Sequence, residues 1–254
     1  MVVQAREEEG LLTDTGPAHP HGRVLIATAV PAERDAVARG LRTHHPAKNT
    51  TDTGDATDAA DVIDVIAVGV GPAAAAAGTA TALTTAALTG RPYTLVVSAG
   101  IGGGFGAPPG AILIADAITV ADLGAETPEG FLPVTELGFG TVTHSPPPSL
   151  VRDLAEVTAA TATGTVLTVS TVTGTADRAA LLARRHPDAV AEAMEGFGVA
   201  EAAAAHGVPV AEIRTVSNAV GPRDRAAWRI GDAFAALTEA FGKAAPVLRG
   251  WKNT

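Results

Sequence analysis

Short runs of unbroken apolar residues alternate along the chain with Ala-rich segments of helical character. "RVLIATAV" leads into "PAERDAVARGL", "VIDVIAVGV" into "PAAAAAGTATALTTAAL", and "YTLVVSAG" into a stretch dense in glycine. Further strand-like runs stand at "AILIADAITVAD", "GTVLTVSTV", "DAVAEAM" and "PVAEIRTVS", with helices expected around 176–185, 198–206 and 230–241. The strands are apolar at successive rather than alternate positions, which is the mark of a sheet covered by helices on both faces. The pattern therefore predicts a three-layer α/β fold. In such sheets ligands bind just beyond the carboxyl ends of the strands, so the residues after each run are where chemistry is sought. Two tracts break the pattern. Residues 1–22 and 43–61 are polar and aperiodic, and are expected to be a tail and a surface insertion on one domain spanning 23–254.

Composition narrows the function classes. With 254 residues, 46% hydrophobic and 18% charged, the chain has the profile of a soluble globular protein. A net charge of −9 leaves no basic stripe for a phosphate backbone, so nucleic acid is not an expected partner. The absence of Cys removes disulfides, thiolate nucleophiles and thiolate metal sites. The seven His lack H-x-x-x-H or H-x-x-E spacing, so neither a metal nor another cofactor is expected. No apolar run reaches the roughly 18 residues that cross a bilayer, and "MVVQAREEEG" does not resemble a signal peptide. No membrane partner and a cytoplasmic location are expected.

At the end of the first strand Pro31 suits an opening helical turn and places Glu33 near a helix N-terminus, which favours an ionised carboxylate. "GVGPAA", residues 69–74, has the order of a dinucleotide fingerprint but lacks the acidic residue expected about 20 positions on. No Asp or Glu occurs between Asp64 and Asp116. Gly69 and Gly71 are therefore read as a tight turn where backbone approaches a ligand. In "SAGIGGGFG", Gly100, Gly102, Gly103 and Gly104 strip side chains from an expected loop whose N–H groups can meet an anion or water. "EAMEGFG" brings Met194 and Glu195 to a strand end. A carboxylate can bridge a vicinal diol and a thioether suits a sugar's apolar face; the alternative is Met194 in the core and Glu195 paired with Arg214. "IRTVSNAVGPRD" adds Arg214, Ser217 and Asn218.

Together, "PAERDAV", "AGIGGGF", "AMEGFG" and "RTVSN" resemble the nucleoside phosphorylase and nucleosidase superfamily over residues 23–241. The runs "SNAVGPRDRAAW" and "LGAETPEGFLPVTELGFG" are similar to its futalosine hydrolase branch. The resemblance implies a mixed, mostly parallel sheet approaching a barrel, flanked by helices. It also implies hydrolysis of the N-glycosidic bond of futalosine, releasing hypoxanthine and dehypoxanthine futalosine in menaquinone biosynthesis, with a nucleoside and water as partners in a homo-oligomer. By the same resemblance Glu33 activates the attacking water, Met194 and Glu195 hold the ribose, and Arg214 lies near both the water and the ribose carboxylate. Gly71, Gly100, Ile101, Gly102 and Gly103 border the substrate. Ser217 and Asn218 stand where adenine-specific relatives carry Ser-Asp.

The Asn is chemically informative. Adenine offers N7 as acceptor and an amino group as donor, whereas hypoxanthine offers N7 and O6, both acceptors. An amide can donate to O6 and turn its carbonyl to N7–H, but against adenine its NH₂ would face another NH₂, and an unpaired buried polar group costs about 1–3 kcal/mol. Asn218 thus favours a 6-oxopurine, unless it merely caps the turn that follows. Three rival readings are a phosphorylase, another purine nucleosidase acting on a 6-oxopurine nucleoside, aminodeoxyfutalosine or methylthioadenosine, and a non-catalytic nucleoside binder. The chain departs from phosphorylases in having "TAVPAERD" rather than a "GDP-x-R"-like turn, and Ile101 where relatives often place a hydroxyl. Arg223, Arg225, Arg229 and Trp228 are candidates for the aromatic carboxylate at the substrate's 5′ end.

Overall fold

The computed structural model describes residues 22–43 and 63–252. The expected tail and insertion lie outside the described residues, except for their border residues Gly22 and Thr43.

The chain runs β1 (Arg23–Thr28), α1 (Pro31–Thr43), β2 (Ile63–Ala67), α2 (Pro72–Leu88), β3 (Tyr93–Gly104), β4 (Ile112–Val120), β5 (Gly124–Thr127), β6 (Gly130–Pro133) and β7 (Thr143–His144). It continues as α3 (Pro148–Thr158), β8 (Ala162–Thr168), α4 (Ala176–Arg185), β9 (Ala189–Ala193), α5 (Gly196–Ala205), β10 (Val210–Ala219) and α6 (Ile230–Gly250).

Strand β3 organises the sheet. Its first half pairs parallel with β1, which pairs parallel with β2. Its second half pairs parallel with β10. From there β10 meets β4 antiparallel, β4 meets β8 and β8 meets β9 in parallel, and β9 returns antiparallel to Gly103 and Gly104 of β3. Five strands thus close a barrel, from which β1 and β2 extend as a wing.

Along β1 the side chains alternate between two cores, as a strand's twofold period requires. Val24 and Ile26 join Leu237 and Phe241 of α6 on one face, whereas Leu25 and Ala27 join Phe197 and Val199 of α5 on the other. Helices α1, α3 and α6 form the first covering layer, and α2 packs on α5 in the second. The three-layer expectation holds. Small residues set the α2–α5 spacing, for a Cβ at Gly198 would stand 2.0 Å from the Pro72 carbonyl oxygen.

One expectation is overturned. The glycine stretch 100–104 is not a loop but the second half of β3. Glycine is a poor strand former in isolation, yet Gly100 through Gly104 have ladder partners on β10 from Arg214 to Ala219. Barrel closure supplies the pairing, so tertiary context outweighs local propensity. The hairpin β5–β6 and helix α3 had no counterpart in the sequence pattern, α5 starts at Gly196 rather than 198, and α6 continues past residue 241 to Gly250.

Candidate active site

The site is assembled at the carboxyl ends of β1, β3, β9 and β10. After β1, Pro31 begins α1 with φ already suited to a helix and no N–H to satisfy, and Glu33 folds back over the turn it follows. Its Oε2 accepts the N–H groups of Ala29 (2.9 Å) and Val30 (3.3 Å), while Oε1 accepts that of Ile101 on β3 (2.9 Å). Only 4% exposed, the carboxyl is pushed above the ordinary glutamate value by burial. The nearby Arg214 charge and the Ile101 N–H offset that rise in part. The group is therefore a stronger proton acceptor than its place at a helix N-terminus suggested.

On β10, Glu212 and Arg214 lie two residues apart and so share one face. Arg214 is 1% exposed. Its Nε donates to Glu212 Oε1 (2.7 Å), Nη2 to Ser98 Oγ (2.9 Å) and Nη1 to Glu195 Oε2 (3.4 Å). Burial opposes the arginine's charge, but the carboxylates of Glu212, Glu195 and Glu33 outweigh it, so the guanidinium stays a cation. Gly100 makes this arrangement possible. A Cβ there would lie 2.5 Å from Glu33 Oε1 and 2.7 Å from Arg214 Nη1, so the two side chains close over the space that a side chain would fill.

Glu195 ends the β9 segment at the start of α5. Its Oε1 accepts the Gly71 N–H (3.2 Å) and its Oε2 the Met194 N–H (3.3 Å). Gly71 has φ 89°, a conformation costly for residues with a Cβ, and this aims its N–H at the carboxylate.

Glu33, Glu195 and Met194 border a cavity of about 250 Å³. Ile101, Gly102 and Gly103 of β3 form its floor, and Ser217 with Asn218 bound it at the end of β10. The Ser217 hydroxyl stands 2.7 Å from Asn218 Oδ1, while Asn218 Nδ2 donates to the Ala219 carbonyl (2.8 Å). Each contact leaves capacity free: one N–H on the amide nitrogen and one lone pair on its oxygen. Val172, Thr173 and Glu192 complete that end, and Glu192 accepts both the N–H and the hydroxyl of Thr173. Arg223 and Trp228 also line the cavity, with the Arg223 guanidinium 5.2 Å from the Trp228 ring centre.

This geometry can be set beside known proteins. The sequence profile of the phosphorylase superfamily matches residues 23–246. A futalosine hydrolase of Streptomyces coelicolor is 68% identical over 232 residues, covering 90% of this chain and 97% of that relative. The chain belongs to the phosphorylase superfamily, among its futalosine hydrolases. A futalosine hydrolase of Acidothermus cellulolyticus is 48% identical over 226 residues, 85% of this chain and 88% of that one. For the fold, the 5′-methylthioadenosine/S-adenosylhomocysteine nucleosidase of Neisseria meningitidis, solved with methylthio-immucillin-A, superposes with a TM-score of 0.69 at 15% identity. It covers 91% of this chain and 100% of that one.

Of the candidate residues of this futalosine hydrolase family member, Glu33, Ile101, Gly102, Gly103, Met194, Glu195, Ser217 and Asn218 face one cavity. Gly71, Gly100 and Arg214 stand behind the wall and act on it through Glu195 and Glu33. Glu195 borders the cavity and also pairs with Arg214, so pairing does not take it out of the site. Arg225 lies 5.9 Å from the Trp228 ring centre, and neither it nor Arg229 is among the described lining residues. Glu192, Glu212 and Ser98 were missed. A signal existed: "DAVAEAM" and "PVAEIRTVS" each place a Glu inside a run that otherwise reads as a buried strand, and a buried carboxylate is costly unless paired. Among the described residues no group of three His, Cys, Asp or Glu is placed to hold a metal, and no helix is long and apolar enough to cross a membrane.

Proposed function

We propose that this chain hydrolyses the N-glycosidic bond of futalosine, releasing hypoxanthine and dehypoxanthine futalosine, a step of menaquinone biosynthesis. The observation that carries the reading is the presence, in one cavity, of a buried proton acceptor, Glu33, and an amide with a free donor and a free acceptor, Asn218. The 68% identity to a futalosine hydrolase supports the substrate.

In this mechanism Glu195 accepts hydrogen bonds from the ribose hydroxyls and Met194 covers the sugar's apolar face. Asn218 donates to O6 of the purine and accepts from N7–H. The C–N bond lengthens toward an oxocarbenium-like sugar, the base leaves with a proton that solvent supplies at N7, and Glu33 takes a proton from the water that attacks C1′. Charge that develops on the sugar faces Glu195 and Glu33, both of which line the cavity. Arg214 holds Glu195 in place from behind.

One further feature supports hydrolysis over phosphorolysis, and another supports the substrate. Glu33, Glu192 and Glu195 line the cavity, and Arg223 is the one cation among its described lining residues. A phosphate dianion would meet carboxylates where it needs cations. Arg223 has no carboxylate partner among the described residues and lies beside Trp228, a pairing suited to an aromatic carboxylate at the 5′ end. The protein is taken to work in the cytoplasm as a homo-oligomer. The test is a substrate panel of futalosine, inosine and methylthioadenosine. Hypoxanthine released from futalosine in clear preference supports the reading; no base released from any of the three returns the protein to a non-catalytic binder.

A further inference from the structure

Glu212 is a buried carboxylate to which the proposed mechanism gives no task. It is fully buried on β10, its Oε1 accepts Arg214 Nε at 2.7 Å, and its Oε2 has no hydrogen-bond partner among the described residues. Burial pushes its carboxyl up, with Arg214 pulling the other way. The fold also makes room for it, for a Cβ at Gly196 would lie 2.2 Å from that unpartnered oxygen. A buried ion pair with an oxygen left over is a poor way to gain stability, since apolar residues of similar volume generally serve as well or better. A group retained against that tendency points to a demand of the site.

The demand is visible around Arg214. Three carboxylates face its guanidinium: Glu33 from α1, Glu195 from the end of β9, and Glu212 from its own strand, with the Ser98 hydroxyl opposite on β3. Glu212 and Ser98 hold it closely and Glu195 holds it at 3.4 Å, but no hydrogen bond or ion pair joins it to Glu33. Yet Nη1 and Glu33 Oε1 flank the same vacant Cβ position of Gly100, so a small rotation of the guanidinium would pair them. We propose that Glu212 is a positioning residue: by gripping Nε it turns the guanidinium toward Ser98 and Glu195 and withholds it from Glu33, leaving that carboxylate free to accept a proton from water. The inference rests on Glu33 being the base of the proposed hydrolysis. An arginine never loses its proton, so its nearest carboxylate must balance it. With Glu212 in that role, Glu33 is spared it.

The experiment compares Glu212→Gln, Glu212→Asp and Ser98→Ala with the parent chain in futalosine turnover across pH. In Glu212→Gln the uncompensated guanidinium stabilises ionised Glu33. The acid limb of kcat/KM is expected to move to lower pH and kcat to fall about tenfold or more, with KM little changed. Glu212→Asp, which keeps the charge, is expected to recover much of kcat and the original limb. Ser98→Ala releases the other hold without touching a carboxylate and shifts the limb the same way by less, which keeps the test open should Glu212→Gln fail to fold. An acid limb that stays in place in every folded variant overturns the inference, whatever happens to kcat. Failure of the parent chain to release hypoxanthine from futalosine would instead sink the functional reading itself.

Discussion

Glu33 owes its chemistry to two opposing effects. Three backbone N–H groups hold the ionised form, and burial disfavours it; burial wins. The acid limb of kcat/KM is therefore expected above the ordinary glutamate range, because activity needs the ionised form and a raised group ionises later as pH rises. A pH–rate profile checks this. Glu33→Gln is expected to reduce turnover by at least about 10²-fold. Both carboxylate oxygens accept backbone N–H groups, so the new NH₂ must face one of them, which costs about 1–3 kcal/mol of stability. A thermal melt beside the assay reads both effects. Asn218→Asp is expected to weaken release of hypoxanthine about tenfold to a hundredfold, the worth of one mispaired buried polar group, and to favour 6-amino over 6-oxopurine nucleosides in a competition assay. At this scale much was legible. Glu33, Glu195 and Asn218 stood at strand ends with atypical polarity. Glu212 and Ser98 were not, because their meaning lies in a partner on a neighbouring strand rather than in spacing along the chain.

At the scale of elements, β3 carries the site. Its glycines let β10 and β9 pair with it while Glu33 and Arg214 close over Gly100. Gly100→Ala would drive a methyl group between the two charged groups. It is expected to lower kcat/KM by about 10²-fold or more, since small displacements of catalytic groups cost that much, and to cost about 1–3 kcal/mol of stability. Kinetics and melting on the same preparation test both. The apolar runs marked the parallel strands well, because burial on both faces writes itself into every residue. The same rule hid the second half of β3. A strand of glycines leaves no such mark, and its ladder depends on partners far away along the chain, on β9 and β10.

At the scale of the whole molecule, the alternation of runs gave three layers, while ring closure through β9 and β3 was a matter of tertiary pairing that no local pattern records. The excursion between β4 and α3 bears on self-association. The hairpin β5–β6 pairs with no other strand among the described residues, and two-stranded hairpins are marginal in water. Beyond it Leu137 and Phe139 are 37% and 66% exposed. A second copy covering this excursion is expected to give a solution mass that is a multiple of 25.3 kDa. Phe139→Glu is expected to shift that mass toward the monomer in light scattering.

The central claim is that a carboxylate from the start of the chain and an amide from its end act on one 6-oxopurine nucleoside, with water as the acceptor of the sugar. The most direct measurement is hypoxanthine release from futalosine in phosphate-free buffer and again with phosphate added. Release at the same rate in both, with free dehypoxanthine futalosine as the other product, is expected. Release only with phosphate, yielding a sugar 1-phosphate, would contradict the account.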